Sequence, residues 1–210
     1  MTVLEVITAA KDIALAGAAI ATAIAAWRGL GKWSAEIKGK AAFDVARGLA
    51  KATYKLRDEV RICCTRIVWG YEYPKNYVEN LKGSEYNKQE AKAYAYLFEN
   101  RFRPVIGALR EYESQVLEAE ALWGSAIWGK TDALRMLARR FNVVHKSYVG
   151  NLRSGNEDFK SDPKYEKETK AMIFSSQNDA ENELNNSLDN AMKSIQSELL
   201  PHLSRDSVPR

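Results

Sequence analysis

Hydrophobic and polar residues follow two different patterns along this chain of 210 residues. Near the N-terminus, residues 13–27 contain no charged side chain and consist almost entirely of Ala, Gly, Ile and Leu. From residue 34 onward, apolar residues recur at intervals of three or four between charged ones, which is the period of amphipathic helices. No long run has the alternation of a strand. The pattern therefore predicts an all-α fold, a helical bundle preceded by one apolar helix.

Glycine and proline divide the amphipathic part into predicted helices. A helix over Ser34–Trp69 should end at the turn-forming sequence 70–74, and a second break is expected at 83–84. The next helical pattern extends over 87–128. It contains Pro104, which should start a new helix or kink the old one.

Two further segments complete the predicted bundle. Thr131 is a suitable N-cap for a helix that reaches about Leu152 and carries a regular apolar stripe. Residues 150–163 are polar and are expected to form a loop. From about residue 164 to residue 203 the chain is charged and rich in Asn. Its sparse apolar stripe predicts one or two peripheral helices, a C-terminal extension of the bundle.

The apolar run predicts a membrane-spanning helix. The chain then has an N-terminal membrane helix over 1–30 and a helical bundle over 34–203. A span needs roughly 20 residues, and extension of the run back to Val3 provides that length. The extension includes three charged residues, which are Glu5, Lys11 and Asp12. We expect these to face one another or an aqueous lumen, because charge exposed to lipid is unfavourable.

The residues that follow the run predict its orientation. Trp27 and Trp33 occur where interfacial aromatic residues are found, and basic residues follow at once: Arg28, Lys32, Lys38 and Lys40. Basic residues are concentrated on the cytoplasmic side of membrane helices. The sequence therefore predicts a single-pass protein whose N-terminus is outside and whose C-terminal bundle is cytoplasmic.

Two other kinds of segment share this composition. In a secretory signal peptide the basic residues precede the apolar run, whereas here they follow it, which argues against a signal peptide. A buried core helix is the stronger alternative, because short apolar runs occur in both settings.

Small residues recur at four-residue spacing along the apolar helix. Gly17 and Ala21 belong to this set, and small residues so spaced let helices approach closely in lipid. The pattern predicts a homo-oligomer that uses this surface, together with Trp27 at the end of the run. An alanine-rich anchor without such contacts is the alternative.

Composition excludes few functional classes. The net charge of +4 is modest, and basic and acidic residues are interspersed. This charge permits a nucleic-acid partner but does not require one. Cys63 and Cys64 are adjacent and lack zinc-site spacing, so we expect core thiols and no metal site. The chain has no glycine-rich phosphate loop and no HExxH or GxSxG motif. No cofactor is expected.

One pair of residues suggests chemistry. Arg140 and His145 form an R-x4-H spacing on a predicted helix. Five residues turn an α-helix by roughly 140°, so the pair could converge on a phosphate only across a cleft or a dimer interface. His145 would then act as general acid or base and Arg140 would neutralise phosphate charge, which allows RNA cleavage without a metal. The alternative is that His145 packs structurally while the arginine is solvated.

The pair and its surroundings resemble a known family. An all-α domain with Arg-x4–6-His late in its sequence, and a polar residue soon after the Arg, resembles a HEPN domain; here that residue is Asn142. The resemblance implies a helical bundle that commonly dimerises. Many HEPN domains are metal-independent ribonucleases, and many others are inactive. With its membrane helix, the chain further resembles the membrane accessory proteins of type VI-B CRISPR systems.

The resemblance and the residues together give three functional hypotheses. The first is a bacterial antiviral-defence protein of the inner membrane that homo-oligomerises into a pore and supports an RNA-guided nuclease. Its partners would be the lipid bilayer and other copies of the chain, with RNA or that nuclease as further candidates. The second is a membrane-tethered ribonuclease that uses Arg140 and His145. The third is a helical interaction scaffold. Enzymatic activity stays open, with the non-enzymatic hypotheses favoured.

Overall fold

The chain folds into a set of helices that confirms the all-α prediction. A computed structural model describes residues 3–77, 83–174 and 183–204, and within these ranges it contains no β-strand. The α-helices of the described ranges are α1 (Val3–Cys63), α2 (Gly83–Trp123), α3 (Ile127–Ser154), α4 (Glu157–Ser161), α5 (Pro163–Ile173) and α6 (Glu183–Leu203). A short 3-10 turn, Gly70–Glu72, follows α1 at the predicted break.

Helix α1 is longer than the sequence predicted. It continues without interruption through the expected boundary at 30–34 and contains 61 residues. At 1.5 Å per residue its length is about 90 Å. Every side chain from residue 13 to residue 34 is exposed, and full burial begins only at Ala46. The candidate membrane segment and the first helix of the bundle are therefore one continuous element.

The main hydrophobic core lies between the C-terminal part of α1 and helices α2, α3 and α6. Its largest fully buried side chains are Leu49, Leu56, Val60, Val105, Tyr112, Ile127, Leu134, Phe141, Leu188 and Ile195. Helix α2 is antiparallel to α1. Lys55 forms an ion pair with Glu111 at 2.6 Å, whereas Thr65, later in the chain, accepts a hydrogen bond from Arg101, which lies earlier on α2 than Glu111. Gly48 allows close approach of the two helices, because a Cβ there would lie 2.0 Å from Gln115 Oε1.

A second, aromatic cluster lies where α2 and α3 pack against α4 and α5. Its buried members are Ala91, Leu97, Phe98, Tyr148, Leu152, Phe159 and Ile173. Tyr94 contacts the rings of Phe98 and Tyr148, with centroids 5.7 and 5.5 Å away. Such ring pairs stabilise a fold beyond the area that they bury.

Arg101 of α2 fixes the irregular segment that follows α1. Its guanidinium donates hydrogen bonds of 2.7 Å to the carbonyl oxygens of Thr65 and Ile67. It also forms a bidentate ion pair with Glu72, at 2.5 and 2.8 Å. The Glu72 carboxylate in turn accepts a hydrogen bond from the Trp69 amide. One arginine thus satisfies several backbone and side-chain acceptors of the α1–α2 connection.

The helix start predicted at Thr131 is wrong, and no new helix starts at Pro104. Helix α2 passes through Pro104 without a break, because buried Phe102 and Val105 fix the helix on either side of the exposed proline. Thr131 is not an N-cap: α3 begins earlier, at the buried Ile127, after a turn at Gly124. Thr131 is buried in the helix interior, and its hydroxyl donates to the Ile127 carbonyl oxygen at 2.9 Å.

The loop predicted over 150–163 is largely helical. Helix α3 continues to Ser154 and ends at Gly155, which adopts the left-handed conformation at φ 79°. The buried Asn151 then binds the carboxylate and the backbone amide of Asp158, and this links the end of α3 to α4. The polar composition of this segment predicted a loop because the sequence does not show that Asn151 and Asp158 bind each other.

The C-terminal segment forms helices as predicted, but α6 is not peripheral. Leu188 and Ile195 are fully buried in the main core. Arg61 of α1 binds Asp189 at 2.9 Å, and Gln196 donates to the Tyr54 hydroxyl at 2.9 Å. Helix α6 therefore closes the bundle against α1 and α3, antiparallel to α1.

Candidate membrane-spanning helix and the Arg140/His145 pair

The N-terminal part of α1 exposes an apolar surface that nothing in the single chain covers. Its large exposed apolar side chains are Ile13, Leu15, Ile20, Ile24, Trp27, Leu30 and Trp33. Soluble monomers rarely expose a contiguous apolar surface of this extent. An apolar surface of this extent, left open by the described part of the chain, is typical of a membrane or protein interaction site.

Length and composition allow this helix to cross a membrane. It contains an 18-residue window with a mean hydropathy of 1.6, and none of that window is buried. The absence of burial argues against the alternative of a soluble-protein core helix, which would be covered by its own chain. A signal sequence shares the apolar length and the N-terminal position, so the basic residues after the run remain the reason to favour an anchor.

The predicted membrane and oligomer residues are placed on this exposed helix. Lys11, Gly17, Ala21 and Trp27 are all exposed, Trp27 to 81%. A Cβ at Gly17 would meet nothing within 4 Å, so its surface is open to a neighbouring helix. The side chains of Glu5 and Asp12 lie outside the residues that the structure describes.

A polar group within the apolar segment is satisfied inside the helix. Thr22 donates its hydroxyl hydrogen to the Ala18 carbonyl oxygen at 2.8 Å. Polar groups in lipid require such internal partners, because no water is available to them. The helix is thus chemically compatible with a bilayer at this position.

His145 is buried in the interior of the bundle. Its side chain is 4% exposed, and the imidazole stacks on Phe98 with centroids 4.2 Å apart and planes 8° apart. Phe141 contacts it edge-on at 4.6 Å. Its Nε2 atom has no hydrogen-bond partner among the described residues.

The surroundings of His145 oppose acid–base catalysis. Burial, with a smaller contribution from the Arg101 charge, lowers the pKa of His145 to about 3. At neutral pH the ring is uncharged, so the imidazolium form that acts as a general acid is absent, and the low pKa makes the neutral ring a weak base. This chemistry favours a packing role in the single chain.

Arg140 and His145 line different concavities. Arg140 is exposed and lines an apolar depression of about 670 Å³ between α3 and α6, beside Met136 and Val143. His145 lines a groove of about 450 Å³ between α2 and α3, together with Asn142. Within one chain the pair does not converge, as the rotation of five helical residues predicted.

The groove beside His145 was missed by sequence reasoning. Its α3 side is formed by residues 142, 145, 146, 149, 150 and 153, which recur at helical spacing next to the apolar stripe. That periodicity was visible in the sequence as a second, mixed stripe. The partners from α2, above all Phe98 and Phe102, required the antiparallel packing of α2 and α3 to be known.

Comparison with known proteins does not assign the chain to a family. No protein-family model, no curated protein and no solved structure matches it significantly. The resemblance to HEPN domains therefore depends on Arg140, Asn142 and His145 in their helical setting. Function has to be inferred from the geometry of the chain itself.

Proposed function

We propose that this protein is a membrane-anchored homo-oligomer, held in the bilayer by the N-terminal part of α1. The observation that carries the proposal is the uncovered apolar surface from residue 13 to residue 27. Transfer of such a surface from water to lipid is favourable in proportion to its apolar area. The helix supplies all of its own backbone hydrogen bonds, as a spanning segment must.

The charges that follow the apolar segment support a cytoplasmic bundle. Arg28 and Lys32 are exposed directly after it, and Lys38 and Lys40 follow before the bundle begins. Their position matches the excess of basic residues on the cytoplasmic side of membrane helices. In this orientation Trp27 and Trp33 would lie at the membrane–water interface, where aromatic residues are enriched.

The continuity of α1 supports a link between membrane assembly and the bundle. No break separates the exposed segment from buried Leu49 and Leu56 of the core. Any packing of copies through Gly17 and Ala21 would therefore fix the orientation of the bundles relative to one another. Lys11, an exposed charge near the start of the helix, would be accommodated by an assembly with an aqueous interior.

A pore that serves bacterial antiviral defence beside an RNA-guided nuclease is the sharper form of this proposal. It is supported by the family resemblance and by the charged residues of the apolar helix. The alternative of a membrane-tethered ribonuclease has less support, because His145 is buried and Arg140 lines a different concavity.

Oligomer size tests the proposal. We would compare the full chain with Gly17→Leu by light scattering in mild detergent, using Gly107→Leu as the matched control. Both glycines lie in helices, and a Cβ at either position would meet nothing within 4 Å, so neither leucine disturbs the folded chain. We expect the wild type and Gly107→Leu to form the same oligomer and Gly17→Leu to form a smaller species. A monodisperse wild-type monomer contradicts the proposal.

Two activity measurements on the same preparation separate the sharper forms. A pore predicts release of a trapped dye from liposomes that contain the wild-type protein, and less release with Gly17→Leu. The ribonuclease predicts cleavage of single-stranded RNA that His145→Ala abolishes while melting temperature and oligomer size stay unchanged. That result would replace the pore with the ribonuclease.

A further inference from the structure

The groove between α2 and α3 has the composition of a small-molecule site. Its floor is formed by Phe98, Phe102 and His145, and its volume of about 450 Å³ falls within the range of ligand pockets, roughly 300–1,000 Å³. Val149 and Ile106 extend the apolar wall. An apolar cavity with a few convergent polar groups is the usual form of such sites.

Two cations on the rim of this groove have no partner. Lys146 and Arg153 line it and are exposed, and neither forms an ion pair or a side-chain hydrogen bond with any described residue. Glu99, on the opposite helix, is the acidic residue of the lining. The rim therefore carries one more positive than negative charge, which complements an anion.

An unpartnered polar atom lies in the floor. His145 is buried, and its Nε2 lacks a hydrogen-bond partner within the described part of the chain. Buried polar atoms are normally paired, and this one, which has almost no accessible surface, would meet a partner in the groove only if the ring turned. Because the imidazole lies parallel to Phe98, the floor offers planar surfaces to that partner.

We propose that the α2–α3 groove binds a small organic anion with a planar aromatic body, of the aryl carboxylate class. The aromatic body packs on Phe98 and Phe102, and Lys146 and Arg153 bind the carboxylate through charge-assisted hydrogen bonds. This site is separate from the membrane segment and is not required for anchoring.

The position of the groove indicates that the ligand comes from solution and not from the bilayer. Arg101, beside Phe102 on α2, contacts Thr65 just beyond the end of α1, so the groove lies at the end of the bundle far from Arg28. Thirty-five residues of helix separate Arg28 from Cys63, or about 50 Å. In the orientation proposed above, on which this step rests, a lipid in the bilayer does not reach the groove.

Calorimetric titration of 2-naphthoate into the full chain in lipid nanodiscs tests the proposal, with empty nanodiscs subtracted. Neutral 2-naphthalenemethanol is the comparison compound, since it keeps the ring system and lacks the charge. We expect one naphthoate site per chain and affinity for the alcohol that is weaker by about tenfold or more.

Variants locate the site. Lys146→Gln with Arg153→Gln should weaken naphthoate binding by about tenfold or more, whereas His145→Phe, which keeps the ring stack, should leave it within a few-fold of the wild type. The matched control is Arg139→Gln with Arg140→Gln, which removes two cations from the α3–α6 depression and should leave binding unchanged.

Three results overturn the proposal: no naphthoate binding, equal binding of the alcohol, or a loss of affinity in the Arg139/Arg140 control. Failure of the membrane proposal is distinguishable from these outcomes. It would appear as protein that separates from the nanodiscs during size-exclusion chromatography, and the same titration then proceeds on the soluble chain.

Discussion

Burial determines the chemistry of the individual side chains at the far end of the bundle. Burial lowers the pKa of His145 to about 3 and raises the pKa of the Cys63 thiol to about 12. The Arg101 charge is the secondary influence on both pKa values, and it reinforces the effect of burial at His145 and opposes it at Cys63. Both groups are therefore neutral at physiological pH, which suits packing more than reaction.

His145 should make the bundle sensitive to mild acid. Its folded pKa is about 3 and its ordinary value is 6.5, so its stabilising contribution is complete above pH 6.5 and decreases as the pH falls toward 3. Between pH 7 and pH 5 the wild type should lose about 2 kcal/mol of unfolding free energy through this group. His145→Phe keeps the stack on Phe98 and removes that loss.

Denaturant unfolding of the full chain in mild detergent at the two pH values measures this difference. His145→Ala should be destabilised at both, by about 2–3 kcal/mol at pH 7, because it empties the space beside Phe98 and Phe141. An identical pH dependence in the wild type and His145→Phe would show that the ring titrates normally.

Arg101 should be among the most sensitive charged residues of the chain. The side chains of Arg101 and Glu72 are only 11% and 17% exposed. Hydrogen bonding to Arg101 lowers the pKa of Glu72, so the pair is charged at neutral pH. Arg101→Met should lower the free energy of unfolding by about 2–4 kcal/mol, because it leaves the partly buried Glu72 carboxylate without its cation and removes the hydrogen bonds to two carbonyl groups.

Arg103→Met is the control for this substitution. Arg103 lies on the same helix but is exposed, so its replacement should change the unfolding free energy by no more than about 0.5 kcal/mol. Limited proteolysis should cut Arg101→Met within 65–73, where the wild type resists. Equal stability of the two variants would refute the role assigned to Arg101.

At the scale of the helices, tertiary burial outweighs local composition. Helix α6 has a polar, Asn-rich sequence, yet it packs against α1 and α3 through Leu188, Ile195 and Leu199.

Two adjacent leucines test whether α6 belongs to the core. Leu199 is 3% exposed and Leu200 is 64% exposed. Leu199→Ala should cost about 2–5 kcal/mol of unfolding free energy and Leu200→Ala about 0.5 kcal/mol or less. If thermal or denaturant unfolding showed that both variants lose similarly little unfolding free energy, α6 would be peripheral.

The helices also show how far the sequence predicts the structure. Period and apolar stripe were sufficient for the helical class and for the stripe of α3. Glycine and proline predicted a break near residue 70, but α1 ends earlier than predicted, at Cys63 and not at Trp69. Boundaries that depend on tertiary contacts were not predictable: Asn151 links the end of α3 to α4 by binding Asp158, and α2 continues through Pro104. For the candidate site, the sequence predicted the rotation that separates Arg140 from His145. It could not predict the burial of His145, which depends on Phe98 from another helix.

At the scale of the molecule, helix α1 joins an exposed apolar segment to the buried core of the bundle. The exposed apolar segment of α1 and its buried C-terminal part form a single element, so the bundle cannot reorient freely relative to whatever covers the segment. Membrane insertion and oligomerisation through α1 would then position every bundle in the assembly. The central claim is therefore that lipid covers residues 13–27.

Membrane flotation of the full chain after an alkaline wash tests that claim most directly. The test variant carries Ile20→Lys and Ile24→Lys, and its control carries Ile62→Lys and Ile67→Lys. All four isoleucines are 50–62% exposed, so the folded chain tolerates each change. A lysine at the centre of a span costs about 2.5–3.5 kcal/mol. We predict that the wild type and the control float with the membranes and that Ile20→Lys/Ile24→Lys is released. A wild-type chain that remains soluble without detergent, or equal flotation of the two variants, would contradict the account.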